Sequence, residues 1–336
     1  MTKTFACNME RWFVVLGWFL SILTIIGNGF NIFLVCNKRQ LRTKTNAFVV
    51  SLAVADFCVG ICVFPLLFLY ETTRDRSYSQ DLKRAQLLVR WFLQDASVMC
   101  LCSLVLERYI AIVMPYKYGT FMTHRRVIQM IALPWTITVI FISLASSPWI
   151  GLNSFNWKIF MWFVFIFFKF LPCCMVIVCL VSMLRVVYKH KRQFHILTRQ
   201  LRFNHRVSYK SYEKCGVVLM SVVSGFFLAY NVLSIRCGIL IILSKSCLDS
   251  RFKIPVLVIN SAVNPFAYAV FKRDIKKELK RMMLYKLTIT KNLRNLTAPK
   301  IWTRLNSSTR IQDRVRKKRI KGICWNCEKL GKIYRI

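Results

Sequence analysis

Seven ionisable residues lie within long segments of the sequence that are otherwise almost entirely apolar. They are Asp56, Arg90, Asp95, Glu107, Arg108, Lys169 and Arg236. Placing such a group in hydrocarbon costs at least about 2.5–3.5 kcal/mol, so each is a candidate for ligand binding, ion binding or conformational switching. The alternative is a structural role, in which two charges pair in the interior or a long side chain reaches the polar headgroups.

The same segments lack the patterns that would indicate catalysis. They contain no glycine-rich nucleotide loop, no serine–histidine arrangement and no cluster of metal ligands. Near the end of the chain, Cys324 and Cys327 have zinc-ligand spacing, but no second ligand pair accompanies them. We therefore expect a protein that binds and switches, not an enzyme.

The composition indicates a polytopic membrane protein. Of 336 residues, 56% are hydrophobic, with 51 Lys and Arg against 13 Asp and Glu, and the mean hydropathy is +0.44. Soluble proteins are nearer 45–50% apolar. Disordered chains are poorer in apolar residues, and soluble nucleic-acid-binding proteins are basic without being this apolar.

The apolar segments have the length of helices. They cover residues 12–37, 47–70, 87–114, 127–157, 159–184, 215–243 and 254–271. A membrane-spanning helix needs about 20 apolar residues, and none of these segments alternates as a barrel strand would. Because a backbone in lipid must satisfy its own hydrogen bonds, the sequence predicts an all-α membrane protein with a bundle of seven transmembrane helices.

The distribution of Lys and Arg predicts the orientation of the chain. With the N-terminus outside, 36 of these residues fall on the inner side and ten on the outer side, as the positive-inside rule requires. We expect an extracellular N-terminus over 1–11, a transmembrane domain over 12–271, a short amphipathic eighth helix over 272–285 and a disordered, basic cytoplasmic tail over 286–336. About ten residues precede the first segment without a cleavage site, so that segment is expected to act as a signal anchor.

Several short motifs occur in a fixed order along these segments. They are Gly27-Asn28, Ser51-Leu52-Ala53-Val54-Ala55-Asp56, Glu107-Arg108-Tyr109, Trp135, Pro172, and Asn260-Ser261 followed by Asn264-Pro265-Phe266-Ala267-Tyr268. In order and spacing, residues 11–285 resemble the rhodopsin-like (class A) G-protein-coupled receptors. Each motif alone is weak, whereas the ordered set is specific.

The resemblance implies a switch at the cytoplasmic ends of the helices. Glu107 would hold Arg108, next to Tyr109, in the inactive state, and Arg108 would help to receive a heterotrimeric G protein once freed. Tyr268 would swing inward to support the open state, and Asn264-Pro265 would form a hinge, because proline interrupts the helical hydrogen bonds. Glu213, at the start of the sixth helix, is a possible second partner for Arg108.

The resemblance also implies an internal sodium site. Asp56, Ser97, Asn260 and Ser261 match the oxygen-bearing positions of that site, and carboxylate, hydroxyl and amide oxygens suit a hard cation. The ion would be allosteric and would favour the inactive state, with no other cofactor required. A water-filled polar network without sodium is the alternative.

The sequence departs from the family at the outer ends of the helices. The usual disulfide between the third helix and the second outer loop is absent, because Lys83 occupies the position of the helix cysteine. In lacking this disulfide the sequence resembles melanocortin and cannabinoid receptors. Melanocortin receptors link the N-terminus to the third outer loop, and Cys7 and Cys247 are the cysteines placed for such a disulfide. In the sixth helix Tyr230 replaces the usual tryptophan and Val232 the usual proline.

The ligand is left open between three classes. The first two helices are most similar to those of biogenic-amine receptors, but Arg90 stands where those receptors place an aspartate, and Asp95 lies about a turn and a half deeper, on a different side. A cationic cavity would favour an anionic small molecule or lipid; a peptide and an amine remain alternatives. The candidate pocket residues are Arg90, Trp91, Asp95, Lys169, Tyr230 and Arg236.

The expected function is therefore that of a receptor in the plasma membrane, with an extracellular ligand and a heterotrimeric G protein as partners. Arrestin and a receptor kinase are possible partners of the tail, whose basic residues would also bind anionic inner-leaflet lipids. Nucleic acid is not expected. The losses in the sixth helix keep open a degenerate receptor that does not couple or only modulates partners. A transporter is less favoured, because the sequence shows no internal repeat.

Overall fold

A computed structural model describes residues 11–72, 79–146, 154–200, 212–243, 250–272, 274–282, 284–285 and 288–290. These residues form helices joined by short turns, and no strand occurs among them. The all-α prediction is confirmed. The chain divides into two units, Met1–Lys276 and Lys277–Ile336, and the seven spans described next lie in the first.

Seven helical spans, called here the first to seventh spans, correspond to the seven apolar segments. They are Arg11–Asn37, Lys44–Thr72, Ser79–Val113, His124–Ala145, the fifth span made of Ser154–Phe165, Ile166–Phe170 and Leu171–Gln200, then Tyr212–Ile242 and Ser250–Phe271. A 3₁₀ turn, Arg39–Leu41, follows the first span, and a short helix, Pro115–Phe121, links the third and fourth. Residues 274–282 are also helical, within the range expected for the eighth helix.

Most spans are long enough to cross a bilayer. Among the described residues, six helices meet this requirement by length and hydropathy, and an apolar stretch of the seventh, Pro255–Val270, is shorter. The whole seventh helix has 22 residues, which at 1.5 Å per residue gives about 33 Å. All seven spans can therefore cross the hydrocarbon layer.

The helix boundaries differ from the apolar segments in two places. The apolar segment 127–157 extends past the helix of the fourth span, which ends at Ala145, and its residues 154–157 belong to the fifth span. The third span begins at Ser79, before the apolar segment that starts at residue 87. Hydropathy reports how much of a chain lies in hydrocarbon, so it divides helices poorly where their connection is itself apolar and misses helical turns outside the membrane.

The fifth span changes its winding before a proline. The turn Ile166–Phe170 is π-helical and lies directly before Pro172. Proline has no backbone N–H and its ring crowds the carbonyl four residues earlier, and a wider π-helical turn relieves that conflict. This turn carries Lys169, so the local irregularity also sets the direction of a charged side chain.

The third span lies at the centre of the bundle. It packs against the second, fourth, fifth and sixth spans, while the first packs between the second and seventh. Trp135 of the fourth span donates its indole N–H to the Ser51 hydroxyl of the second at 3.1 Å. Side chains such as Val15, Val178 and Val232 are more than 60% exposed, as expected where helices face lipid.

The first and second spans approach each other closely at Gly60. A Cβ atom added there would lie 2.9 Å from Cγ1 of Ile25 and 3.2 Å from the carbonyl oxygen of Ser21. Small residues allow helix backbones to approach in this way. By contrast, an added Cβ at Gly225 of the sixth span meets nothing within 4 Å.

We predict that Gly60→Leu separates the first two spans and destabilises the protein by about 1–3 kcal/mol, the usual cost of overpacking. Thermal unfolding of the purified protein measures the loss as a lower melting temperature. Gly225→Leu is the matched control and should leave the melting temperature nearly unchanged. Equal effects of the two substitutions would contradict the close approach.

Candidate functional site

A buried carboxylate at one end of the bundle gathers donors from three elements. Glu107, fully buried, accepts hydrogen bonds from Arg108 Nε at 2.7 Å and Arg108 Nη2 at 3.2 Å. Thr45 of the second span donates to Glu107 Oε1 at 2.8 Å, and Tyr118 of the helix Pro115–Phe121 donates to the same atom at 2.7 Å. Arg108 also donates to the Thr45 hydroxyl. The carboxylate thus fastens the Arg108 guanidinium to the second span and to the neighbouring short helix.

A second cation lies close to this cluster. Lys272, directly after the seventh span, donates to the Asn46 side-chain oxygen. Burial, together with the nearby Arg108 guanidinium, lowers the pKa of Lys272 to about 7. Burial and the hydrogen bond to Glu107 raise the pKa of the Tyr118 hydroxyl. The buried position and the neighbouring Arg108 guanidinium therefore disfavour the charged form of Lys272 at this end of the bundle.

Tyr109 and Glu213 were also predicted to belong to this region. Tyr109 is half-buried in the third span. The Glu213 side chain, in the first turn of the sixth span, lies outside the described part of the chain, so its pairing with Arg108 stays a prediction.

The seventh span is interrupted at Pro265, and the first span compensates for it. Proline leaves the carbonyl four residues earlier, that of Ser261, without its helical donor. The Asn28 amide donates to this carbonyl at 3.2 Å and to its own Thr24 carbonyl at 3.1 Å. Gly27 makes room for the proline, because a Cβ there would lie 2.6 Å from Pro265 Cγ. The Gly27-Asn28 pair thus stabilises the break in the seventh span.

Asp56 is the buried anion at the middle of the second span. Ser97 of the third span donates to its Oδ1 atom at 2.8 Å, and Asn264 of the seventh donates to its Oδ2 atom at 2.6 Å. Ser261 is fully buried and its hydroxyl has no hydrogen-bond partner among the described residues. Asn260 is buried as well, but the amide that contacts the carboxylate is that of Asn264, which sequence reasoning assigned to the hinge alone.

The surroundings of Asp56 fit a monovalent cation. They supply a carboxylate, the Ser97 hydroxyl and an unsatisfied Ser261 hydroxyl, all of them hard oxygen donors. Tyr268 is also fully buried, its hydroxyl is unpartnered among the described residues, and it is near enough to Asp56 and Arg108 to interact with both electrostatically. This side chain therefore lies between the two polar regions.

A cavity of about 520 Å³ opens between the third, fourth, fifth and sixth spans. Five of the six predicted pocket residues line it, and Arg236 does not. The five are Arg90, Trp91, Asp95, Lys169 and Tyr230. Asp95 was expected to face a different side from Arg90, but both line the same cavity. Five residues correspond to about a turn and a half of helix, and the cavity is wide enough to reach both side chains.

An ion pair crosses the cavity between the third and fifth spans. Lys169 Nζ lies 2.9 Å from Asp95 Oδ1, and the side chains are only 12% and 11% exposed. The π-helical turn Ile166–Phe170 presents the lysine to this partner. Asp95 and Lys169 were each predicted to have either a functional or a structural role, and their pairing with each other was left open. The structure brings them together.

Arg90 has no ion-pair or hydrogen-bond partner among the described residues, although it is partly buried. It is close enough to Tyr230 for an electrostatic interaction, and Tyr230 is similarly placed relative to Lys169. Among the described residues, the cavity lining thus contains one neutralised cation, Lys169, one interior cation without an ion-pair partner, Arg90, and the exposed Lys158.

The predicted disulfide lies outside the described part of the chain, because neither Cys7 nor Cys247 is described. Its formation stays a prediction. Within the described part, Cys237 of the sixth span is disulfide-bonded.

Sequence reasoning missed the partners that come from distant segments. Thr45 and Tyr118 lie in the stretches that flank the apolar segments, where nothing in the sequence indicates that they donate hydrogen bonds to Glu107. Asn28 was noted as part of a motif, but its contact with the Ser261 carbonyl was not anticipated. A search for buried amides opposite each proline would have found it, since a proline predicts an unsatisfied carbonyl.

The chain is similar to known receptors. The family model described as 7 transmembrane receptor (rhodopsin family) matches residues 27–268. The histamine H2 receptor of Canis lupus familiaris is 28% identical over 282 residues, which cover 76% of this chain and 75% of that receptor. The octopamine receptor beta-1R of Drosophila melanogaster is 26% identical over 313 residues, covering 79% of this chain and 60% of that one.

Shorter and structural matches agree with these. The probable G-protein coupled receptor No18 of Amphibalanus amphitrite is 37% identical over 139 residues, 40% of this chain and 35% of that protein. The matched part of the chain spans 28% of another Amphibalanus amphitrite relative, probable G-protein coupled receptor No9. Squid rhodopsin superposes with a TM-score of 0.66 at 18% identity, covering 82% of this chain and 86% of that one, which shows the same fold.

We predict that the Asp95–Lys169 pair behaves as one unit in stability measurements. Asp95→Asn and Lys169→Gln should each destabilise the protein by about 3–5 kcal/mol, because each leaves a buried charge without its partner. The double variant should lose less than the sum, which a thermal double-mutant cycle measures. Asp81→Asn, an exposed carboxylate in the same span, is the control. Additive losses would contradict the pairing.

Proposed function

The chain belongs to the rhodopsin family of seven-transmembrane receptors, which are not enzymes, and we propose that it binds an extracellular ligand in the cavity and activates a heterotrimeric G protein. In this proposal the protein lies in the plasma membrane with its N-terminus outside. The end that carries Glu107 and Arg108 then faces the cytoplasm, where the G protein binds, and the end nearer Arg90 faces the outside.

The observation that supports coupling is the arrangement around Glu107. Its carboxylate holds Arg108 through two hydrogen bonds and is itself held by Thr45 and Tyr118. A guanidinium bound in this way is unavailable to a partner, and the arrangement represents an inactive state. A ligand that binds better to a state in which Arg108 is released shifts the population toward that state by its difference in affinity.

Arg108 is suited to the role of the released group. Its side chain is 22% exposed while that of Glu107 is fully buried, so the guanidinium can turn toward a partner without moving the carboxylate. A guanidinium presents several donors in a fixed plane, which suits the carbonyl groups at the C-terminus of a partner helix.

The cavity favours an anionic ligand among the three classes considered. Relatives named for histamine and octopamine suggest an amine, yet Arg90 would repel one and Asp95 is already paired with Lys169. A cavity of about 520 Å³ has room for only one or two side chains of a peptide. An anionic small molecule or lipid is left as the ligand class that the charges favour.

A receptor that does not couple is the second candidate. The sixth span is one continuous helix, Tyr212–Ile242, and Val232 stands where the resemblance expects a proline. A helix without that proline lacks a ready hinge for an outward movement. In this case the chain would bind ligand and act on partners without nucleotide exchange.

We predict that Glu107→Gln raises ligand-free nucleotide exchange severalfold and that Arg108→Ala abolishes it. The first substitution weakens the charge-assisted hold on Arg108, whereas the second removes the group that meets the G protein. Loading of a GTP analogue is measured across a panel of Gα subunits at matched surface expression. Arg84→Ala, an exposed arginine of the same span, is the control. Silence of both parent and Glu107→Gln with every subunit would favour the non-coupling alternative.

We also propose that the Asp56 region binds an allosteric sodium ion in the inactive state. The support is the set of oxygen donors around Asp56, which includes the buried Ser261 hydroxyl that faces the carboxylate without a hydrogen bond of normal geometry among the described residues. A bound cation would neutralise the carboxylate and satisfy that hydroxyl. The residues that would hold it are Asp56, Ser97 and Ser261, with Asn260 adjacent.

We predict that sodium chloride raises the melting temperature of the purified receptor relative to choline chloride at equal ionic strength, by mass action on the folded state. Asp56→Asn should abolish the difference and Ser97→Ala should reduce it. Ser143→Ala, an exposed hydroxyl of the fourth span that bonds only its own helix, should preserve it. The same difference in the parent and in Asp56→Asn would refute the site and favour the water-filled network.

The tail and the outer disulfide extend this proposal. We propose that the basic residues of 286–336 bind anionic inner-leaflet lipids and that arrestin and a receptor kinase act on its hydroxyl groups. A link between Cys7 and Cys247 would join the N-terminus to the third outer loop.

A further inference from the structure

Among the described residues that line the cavity, Arg90 carries the one interior positive charge that has no ion-pair partner. We propose that the ligand is an amphipathic organic monoanion, with a carboxylate that pairs with Arg90 and an apolar body that fills the space between the fourth and fifth spans. This inference rests on the proposed function, because it takes the cavity to be the ligand site, and it adds the chemical class of that ligand.

The charges that line the cavity determine the sign and size of the ligand's charge. Four charged residues line it: Arg90, Asp95, Lys158 and Lys169. Asp95 and Lys169 neutralise each other at 2.9 Å, and Lys158 is exposed to solvent. Among the described residues, the interior of the cavity therefore carries a single uncompensated positive charge. A ligand with one negative charge balances it, whereas a neutral ligand leaves it unpaired and the second charge of a dianion would have only the exposed Lys158 as a partner.

The guanidinium selects the type of anion. Arg90 offers two parallel N–H groups, which match the two oxygens of a carboxylate in a bidentate arrangement. In a partly buried site this pair is stronger than it would be in water. An amine would meet the opposite situation, since it would be repelled by Arg90 and could reach Asp95 only by displacing Lys169.

Apart from Gln94, Thr138 and Ser234, the rest of the cavity lining is mostly apolar, and one part of it is aromatic. Phe141 of the fourth span lines the cavity and stacks on Phe163 and Phe167, each with ring centroids 5.5 Å away, and meets Phe168 edge to face at 4.7 Å. Rings packed in this way form a rigid, flat surface. An apolar body lying against Phe141 would be desolvated without rearrangement of the wall.

Another part of the lining is more adaptable. Met161 and Val164 of the fifth span form it beside Phe165, and methionine fills irregular gaps because its side chain is unbranched and polarisable. The cavity of about 520 Å³ lies within the range of sites that enclose small organic ligands. A ring system and a medium-length alkyl chain both fit this space, so the body of the ligand comes from either an aromatic acid or a fatty acid.

Anion binding at Arg90 also reaches the sixth span. Tyr230 is fully buried, lines the cavity and interacts electrostatically with both Arg90 and Lys169. A carboxylate on Arg90 therefore changes the field at the side chain that replaces the family's tryptophan. This contact connects the ligand to the helix whose movement coupling requires.

The test uses the full chain in lipid nanodiscs and two pairs of probes that differ only in the charge of the head group. One pair is 2-naphthaleneacetate and 2-(2-naphthyl)ethylamine, and the other is decanoate and decylamine. Binding is measured by equilibrium dialysis, with empty nanodiscs subtracted to remove partition into lipid. We expect at least one carboxylate to bind about tenfold or more tightly than its amine. Preference within the naphthyl pair indicates an aromatic acid, and preference within the decyl pair a fatty acid.

Variants of Arg90 test the anchor itself. Arg90→Gln should weaken carboxylate binding about tenfold or more, and Arg90→Glu should reverse the preference so that the amine binds better than the carboxylate. Reversal is a gain of binding that a misfolded protein cannot produce. Arg84→Gln, an exposed arginine on the same span that does not line the cavity, should bind the carboxylates as the parent does.

Three results would overturn the proposal: no carboxylate binds the parent, the amines bind the parent at least as tightly, or Arg90→Gln and Arg90→Glu leave the preference unchanged. Because dialysis requires no G protein, these results are independent of coupling. A parent that selects carboxylates but never loads nucleotide would support the anion site and contradict the coupling function instead.

Discussion

Hydrocarbon supplies no hydrogen-bond partners, so every polar group inside this bundle must be satisfied by another part of the protein or by a small bound molecule or ion. This constraint accounts for the three polar regions of the interior: Glu107 with its donors, Asp56 with Ser97 and Asn264, and the Asp95–Lys169 pair. Each region therefore joins helices that are distant in sequence, and each can change only if its partners change together.

The third span contributes to all three regions. It carries Arg90 and Asp95 in the cavity, Ser97 at Asp56, and Glu107 with Arg108 at the far end of the same helix. Because this helix packs against the second, fourth, fifth and sixth spans, a small rotation would alter all three regions at once. A shared rigid element of this kind is one way in which contacts at the two ends of a helical bundle can change together.

The prolines show the same constraint at the level of the backbone. Pro265 removes a helical hydrogen bond, and Asn28 supplies a replacement donor to the Ser261 carbonyl. Pro172 follows a π-helical turn, and that turn directs Lys169 to Asp95. In both places a local break in a helix is compensated by a specific contact, so the break can be retained at a site where the helix changes shape.

The family and the number of helices were available from the sequence, because a stretch that crosses hydrocarbon must be long and apolar and because Glu107-Arg108, Asp56 and Asn264-Pro265 occur at characteristic distances. The identity of the isolated charges was also available, since charge in an apolar segment is rare. The tertiary structure alone decided which charges neutralise each other: Asp95 and Lys169 are 74 residues apart, and Thr45 reaches Glu107 across 62. Partner choice depends on the rotation of each helix and on the π-helical turn before Pro172, which hydropathy does not report. That choice leaves Arg90 as the interior charge of the cavity without a partner among the described residues, and the proposed ligand class depends on it.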